Sequence, residues 1–250
     1  MITLTGKVAL VTGASRGIGR ATALLLGRSG ADVALTCHTR QAEAEAAARE
    51  IRALGRRAVV EAGDLGDPGA VERIFDSAVS SLGPLDIFVG NAGVWPPEEV
   101  PLRDLPPERW RATMRANLDA IYASTRAALR RMRAGGRVVL VSSTAGQRGE
   151  AFHSDYAASK GALIALVKSL CIECAPDITV NCVAPGWVDT DMSRPAFEGG
   201  GKERIAASIP LRRIATAEDV AGPIVFLCSE LARHITGEVL NVNGGSVLCG

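Results

Sequence analysis

Thr12-Gly13-Ala14-Ser15-Arg16-Gly17-Ile18-Gly19 is the stretch that decides how this chain is read. A short apolar run, Lys7–Val11, precedes it. A helical pattern, Ile18–Ser29, follows it and stops at Gly30. A strand that turns into a helix through spaced glycines is the opening of an α/β unit. The glycines permit a tight turn, close backbone approach to a pyrophosphate, and close packing of helix on strand. The first turn of the helix then offers unpaired N–H groups and the positive end of its dipole to phosphate. Glycine-rich turns also occur without ligands. The position at the first strand-to-helix junction is what favours phosphate binding here.

Working outward, the same alternation continues. Apolar runs at Ala31–Cys37, Arg57–Ala62, Leu85–Gly90, Arg137–Val141, Ile178–Ala184 and Val239–Val242 read as strands. Helical patterns lie between them at Gln41–Leu54, Pro68–Leu82, Pro107–Arg133 (as one long helix), Phe152–Ala175, and around 191–208 and 216–231. The strands are apolar throughout rather than alternating, so both faces of the sheet are covered. With right-handed crossovers this predicts an α/β fold: a doubly wound parallel sheet of about seven strands with helices on both faces. Residues 1–250 form a single domain. The glycine-rich Glu198–Gly201 reads as a mobile loop rather than a boundary.

Composition excludes several classes. A net charge of +1, with no long run of one sign, argues against nucleic-acid binding. No apolar stretch is long enough to span a bilayer, and the N-terminus does not read as a signal peptide, so a cytoplasmic protein is expected. Cysteines stand at 37, 171, 174, 182, 228 and 249. Cys171 and Cys174 have CxxC spacing. However, they lie in a helical pattern with no second pair, so buried free thiols are expected and no metal site.

Tyr156-Ala157-Ala158-Ser159-Lys160 opens the second long helix. Residues four apart share a helical face, so Tyr156 and Lys160 point into one site. A free phenol has a pKa of about 10, and a nearby ammonium lowers it. Such a pair suits general acid–base work on a carbonyl or alcohol. A serine at the end of strand five would hold the reacting oxygen by a hydrogen bond; Ser142 and Ser143 both stand there. His153 reads as a surface residue or part of a substrate mouth. Trp95, Trp187 and Met192 are candidates for an apolar pocket wall, with Trp187 favoured for substrate contact and Trp95 for loop packing.

These motifs together resemble the short-chain dehydrogenase/reductase family over essentially the whole chain. The phosphate loop has the family's TGxxxGxG spacing through Gly13, Gly17 and Gly19, with Ser15, Arg16 and Ile18 between them. Asp64-Leu65 resembles its adenine contact, and Asn91-Ala92-Gly93 its cofactor-side motif. Pro185-Gly186, Val188 and Thr190 resemble its nicotinamide border. Asn243-Gly244-Gly245 is similarly placed. The resemblance implies a single-domain Rossmann-type fold and a catalytic set of Asn117, Ser143, Tyr156 and Lys160, the spacing favouring Ser143 over Ser142. It implies that Tyr156 and Lys160 also contact the cofactor and that Asn117 holds a water linking Lys160 to solvent. The subgroup it resembles is the β-ketoacyl carrier-protein reductases.

The cofactor expected is NADP(H). Strand two ends Cys37-His38-Thr39-Arg40, with no acid before Glu43 to bind the ribose hydroxyls of NAD. His38, Thr39 and Arg40, with Arg16, instead present donors for a 2′-phosphate. The function expected is reduction of a ketone or β-ketoacyl-type carbonyl. The alternatives are an NAD-dependent alcohol dehydrogenase and a cofactor-binding sensor or scaffold without catalysis. A homotetramer is expected, with Ala127, Ala128, Leu163, Leu166, Val167 and Leu170 as candidate contact residues. The substrate is a small-molecule or acyl-thioester carbonyl. If an acyl carrier protein delivers it, Arg130, Arg131 or Arg133 would meet that partner, because Glu173–Asp177 carries no base.

Overall fold

A computed structural model describes residues 2–248. Seven parallel strands form one sheet: β1 Val8–Val11, β2 Asp32–Cys37, β3 Ala58–Ala62, β4 Leu85–Gly90, β5 Met132–Val141, β6 Ile178–Pro185 and β7 Val239–Val242. Their order is β3-β2-β1-β4-β5-β6-β7. The winding reverses between β1 and β4, so a crevice opens beyond the carboxyl ends of these two strands. The α-helices among the described residues are α1 Gly17–Arg28, α2 Gln41–Ala53, α3 Pro68–Leu82, α4 Pro107–Met114, α5 Ala120–Leu129, α6 Thr144–Arg148, α7 Ser154–Glu173, α8 Arg194–Phe197, α9 Gly201–Ser208 and α10 Ala217–Leu227.

Side chains alternate across a strand, and the core follows that rule. Ala9 and Val11 of β1 join the cluster beneath α1, α2 and α10, with Leu24, Ile51 and Ile224. Val8 and Leu10 join the opposite cluster beneath α3, α5 and α7, with Phe75, Ile121 and Leu163. Helix boundaries follow local chemistry. Asp67 accepts a hydrogen bond from the Gly69 N–H, and Pro68 occupies the first turn of α3. Thr216 and Asp219 form a reciprocal capping box on α10.

Two expected elements differ. The long helix over 107–133 is broken: α4 gives way to a π-helical turn, Arg115–Asp119, before α5. It also ends at Leu129, because the Leu85 N–H donates to the Arg131 carbonyl and pulls Met132 and Arg133 into β5. The expected mobile loop at Glu198–Gly201 is a tight turn between α8 and α9, with Gly199 and Gly200 at positive φ. Cys37, Cys171, Cys174, Cys182 and Cys228 are free. Cys171 packs its sulfur where a side chain on Gly237 would stand. Cys249 lies outside the described residues.

Candidate active site

The phosphate loop has the shape its glycines require. Gly13 and Gly17 adopt positive φ. A Cβ on Gly19 would overlap the Gly13 carbonyl oxygen, and one on Gly17 would press the Thr190 methyl at 3.3 Å. Gly19 is therefore the packing glycine of the three. Arg16 precedes α1 and makes no side-chain cap, so the helix start keeps its donors for a ligand. Thr12 and Asn91 tie this loop to the chain beyond β4. The Thr12 hydroxyl accepts from the Asn91 and Ala92 N–H groups at 2.9 and 3.0 Å. The Asn91 amide donates to the Thr12 carbonyl at 3.0 Å.

A cleft runs from this loop along the carboxyl ends of β2, β3 and β1. His38, Thr39 and Arg40 line one end, Asp64 and Leu65 the middle, and Ala92 and Gly93 the other. A hydrogen bond from Arg115, then one from the Gly66 N–H, holds the Asp64 carboxyl below its ordinary range. Arg115 is a residue the sequence reading missed. So is Asp191. Its carboxylate accepts from Arg16 at 2.9 Å and lies 3.9 Å from Arg40. β2 itself ends without an acid, as expected, but Asp191, from beyond β6, brings a carboxylate to this end of the cleft. The cradle fits a dinucleotide: glycines where a Cβ would intrude, free helix N–H groups, and arginines at the adenosine end.

The cleft continues into a second cavity lined by Ser143, Tyr156, Lys160, Pro185, Gly186 and Val188. A Cβ on Gly186 would meet Asn243 at 3.0 Å, which explains the pairing of Pro185-Gly186 with Asn243-Gly244-Gly245 in one sequence. The two serines divide their work. The Ser142 hydroxyl donates to the Lys160 carbonyl at 2.7 Å and is buried. Ser143 caps α6, accepting from the Ala145 N–H, and lines the same cavity as Tyr156.

Burial dominates the electrostatics. It pushes the Tyr156 phenol up to about 12, with the nearby Ser143 hydroxyl opposing. It pulls the Lys160 ammonium down to about 8. The expectation that the ammonium lowers the phenol is not met. Lys160 Nζ lies 5.9 Å from the Tyr156 ring centroid and donates to the Val141 carbonyl at 2.9 Å. Tyr156 is thus a neutral acid at pH 7. Asn117 sits in the π-helical turn, fully buried. Its amide accepts from the Val94 N–H at 2.7 Å and donates to the Val94 carbonyl and Ser159 hydroxyl at 3.0 and 3.2 Å. These contacts make the Asn117 amide an anchor for the loop after β4.

His153 is buried, not superficial: 5% of it is exposed, and it stacks on Trp95. Trp95, Trp187 and Met192 all line the second cavity, with Arg148 and Glu150 at its side. Arg130, Arg131 and Arg133 lie at the amino ends of β4 and β5, opposite the carboxyl ends that form the cavity. There they face Glu72, Asp76 and Asp86.

Comparison with known proteins agrees with this geometry. A family model described as enoyl-(acyl carrier protein) reductase matches residues 13–246. Versicolorin reductase stcU of Emericella nidulans is 40% identical, over 97% of this chain and 96% of that protein. The 3-oxoacyl-[acyl-carrier-protein] reductase FabG of Escherichia coli is 38% identical, over 96% and 97%. A short-chain dehydrogenase from Burkholderia cenocepacia, solved in complex with NADP, superposes with a TM-score of 0.91 at 40% identity, covering 97% and 98% of the two chains. The chain belongs to the short-chain dehydrogenase/reductase family, and it is an NAD(P)-dependent oxidoreductase resembling the FabG subgroup.

Proposed function

We propose that this protein is an NADPH-dependent reductase of a ketone or β-ketoacyl-type carbonyl, acting on a free substrate. The observation that carries the reading is the buried Tyr156 phenol beside Ser143, in a cavity continuous with the dinucleotide cleft. Held in the cleft by Gly13, Gly17 and Asn91, a reduced nicotinamide dinucleotide would supply the hydride for the carbonyl carbon. Ser143 donates a hydrogen bond to the carbonyl oxygen and holds it in line. Tyr156 gives its proton to that oxygen as the carbon–oxygen double bond becomes an alcohol. A phenol held near 12 is in the form reduction needs; oxidation would have to begin from the phenolate. Lys160 places positive charge beneath the site and helps hold the cofactor. Asn117 fixes the loop that carries Gly93.

The preference for NADPH rests on Arg16 and Arg40, with Thr39 and His38 beside them. The NADP-bound neighbour supports it. Delivery by an acyl carrier protein gains no support from Arg130, Arg131 and Arg133, which stand at the amino ends of β4 and β5, opposite the cavity, and already face acids. A homotetramer is part of the proposal.

The test measures kcat/KM for NADPH and NADH with a ketone. NADPH should win by one to two orders of magnitude, equivalent to about 1.4–2.8 kcal/mol. Arg16→Ala and Arg40→Ala should each narrow that ratio. Tyr156→Phe should cost about 10²–10⁴-fold in turnover with cofactor binding retained. A wild type that favours NADH removes the cofactor assignment. A Phe variant keeping a tenth of the activity removes Tyr156 from its role.

A further inference from the structure

Four rings form one continuous aromatic cluster beside Tyr156, of which Trp95 and Trp187 line the cavity. Trp95 stacks on His153 with centroids 4.0 Å apart and planes 21° apart. Its other contacts are edgewise: Tyr156 at 4.6 Å and Trp187 at 6.3 Å. Trp187 continues the wall to Phe197 at 6.0 Å. The indole of Trp95 is therefore held by two rings, His153 stacked on it and Tyr156 edge-on.

The backing is built at a cost. His153 Nε2 is buried with no hydrogen-bond partner among the described residues, and its Nδ1 lies 3.3 Å from the Ala151 carbonyl. A buried, unpaired ring nitrogen is unfavourable. Phe152, just before it, takes a positive φ that non-glycine residues avoid. The Phe152 carbonyl accepts from the Val100 N–H at 3.0 Å, which ties the start of α7 to the loop bearing Trp95. Strain and an unpaired polar atom together, beside a reacting group, mark a place shaped for function.

The cavity offers little charge. Its charged side chains are Lys160, committed to the Val141 carbonyl, and Arg148 and Glu150, paired with each other at 2.9 Å. Among the described residues no spare cation awaits a carboxylate or phosphate there, and no spare anion an amine.

We propose that Trp95, positioned by His153, selects the substrate, and that the substrate is a flat, uncharged aromatic ketone rather than an open acyl chain. The inference rests on the ketoreductase reading and deepens it. A rigid aromatic wall rewards a planar ring through edge and offset-stacked contacts. A flexible chain gains only burial there and must give up its rotational freedom. The wall begins at the proton donor itself, so a ring fused beside the carbonyl lies against Trp95 as its oxygen reaches Tyr156.

The experiment compares kcat/KM, with NADPH saturating, for α-tetralone and for the N-acetylcysteamine thioester of acetoacetate. Wild type should prefer the aryl ketone at least tenfold. Trp95→Leu should cut that preference at least tenfold, with the loss carried more by KM than by kcat. His153→Ala should cut it about threefold or more, and His153→Phe, which keeps a stacking ring, should restore it. Melting curves check that each variant folds; if Trp95→Leu does not, the wild-type ratio and the His153 pair decide the matter. A wild type that prefers the thioester, or a ratio unmoved in both Trp95→Leu and His153→Ala, overturns the inference and leaves the reductase reading standing. NADPH that binds but is consumed with neither carbonyl overturns both.

Discussion

Lys160 shows what a catalytic group costs its fold. Its ordinary value is 10.5, and burial lowers it to about 8. The folded protein therefore gives up this proton more readily than the unfolded chain does. Below pH 8 the buried charge opposes folding, and the opposition fades as pH rises from 8 toward 10.5. At full value the shift corresponds to about 3 kcal/mol. Lys160→Met should accordingly gain on the order of 1–2 kcal/mol at pH 7, lose turnover at least 10²-fold, and lose its stability advantage near pH 10. Denaturant melts of both proteins at pH 7 and 9.5 check this; an advantage equal at both values would contradict it. Tyr156 and Lys160 were legible as a pair because four residues span one helical turn. Their proton affinities were not, because burial outweighs the neighbouring charge. His153 misled for the same reason: nothing within the sequence near it states that Trp95, 58 positions earlier, covers its ring.

Among the elements, the phosphate loop is the most legible and the segment after β6 the least. Gly19→Ala places a methyl group on the Gly13 carbonyl, so the loop must shift. That variant should lose NADPH binding at least tenfold and melt several degrees lower; calorimetric titration with unchanged affinity would exclude the packing role. The segment Asp189–Ser193 crosses the cleft. Thr190 touches the site of a Gly17 side chain, and Asp191 bonds Arg16 and approaches Arg40 and Arg194. The carboxylate competes with a 2′-phosphate for both arginines of the cofactor reading. Exposed pairs of this kind are worth about 0.2–1 kcal/mol. Asp191→Asn should thus tighten NADPH about two- to fivefold while leaving NADH nearly unchanged. Fluorescence titration of both cofactors measures it, and an NADPH affinity that weakens would show that Asp191 orders the arginines instead. The π-helical turn at Arg115–Asp119 was invisible in sequence. The 3.6-residue pattern of this stretch carries no mark of the extra residue that turns Asn117 toward Val94.

For the whole molecule, the apolar residues expected at subunit contacts divide sharply. Ala127, Ala128, Leu163 and Val167 are fully buried within one chain, against β4 to β6. Leu166 and Leu170 are half-buried against the same cluster. What α5 and α7 leave outside is Tyr122, 57% exposed, and Ile172, 77% exposed. A two-fold pairing of these helices would cover both. Light scattering at micromolar concentration should give about four times the 26.1 kDa of one chain. Tyr122→Glu or Ile172→Glu should lower that mass with secondary structure retained. A wild-type monomer would remove the tetramer.

The sequence by itself determined the strand–helix alternation, the parallel sheet, the phosphate loop and the order of Ser143, Tyr156 and Lys160. Each of these is written in local signals: apolar runs, glycines at a turn, and a helical repeat of four. Tertiary structure alone decided which groups share a site across long separations. It set Asp191 against Arg16, 175 residues away, and Asn117 against Val94. It sorted Ser142 from Ser143 by what each hydroxyl meets. It also decided the protonation of Tyr156, since desolvation depends on how completely the rest of the chain closes over a side chain. Local patterns name the residues that carry the chemistry; packing sets the distances and the dielectric in which they act.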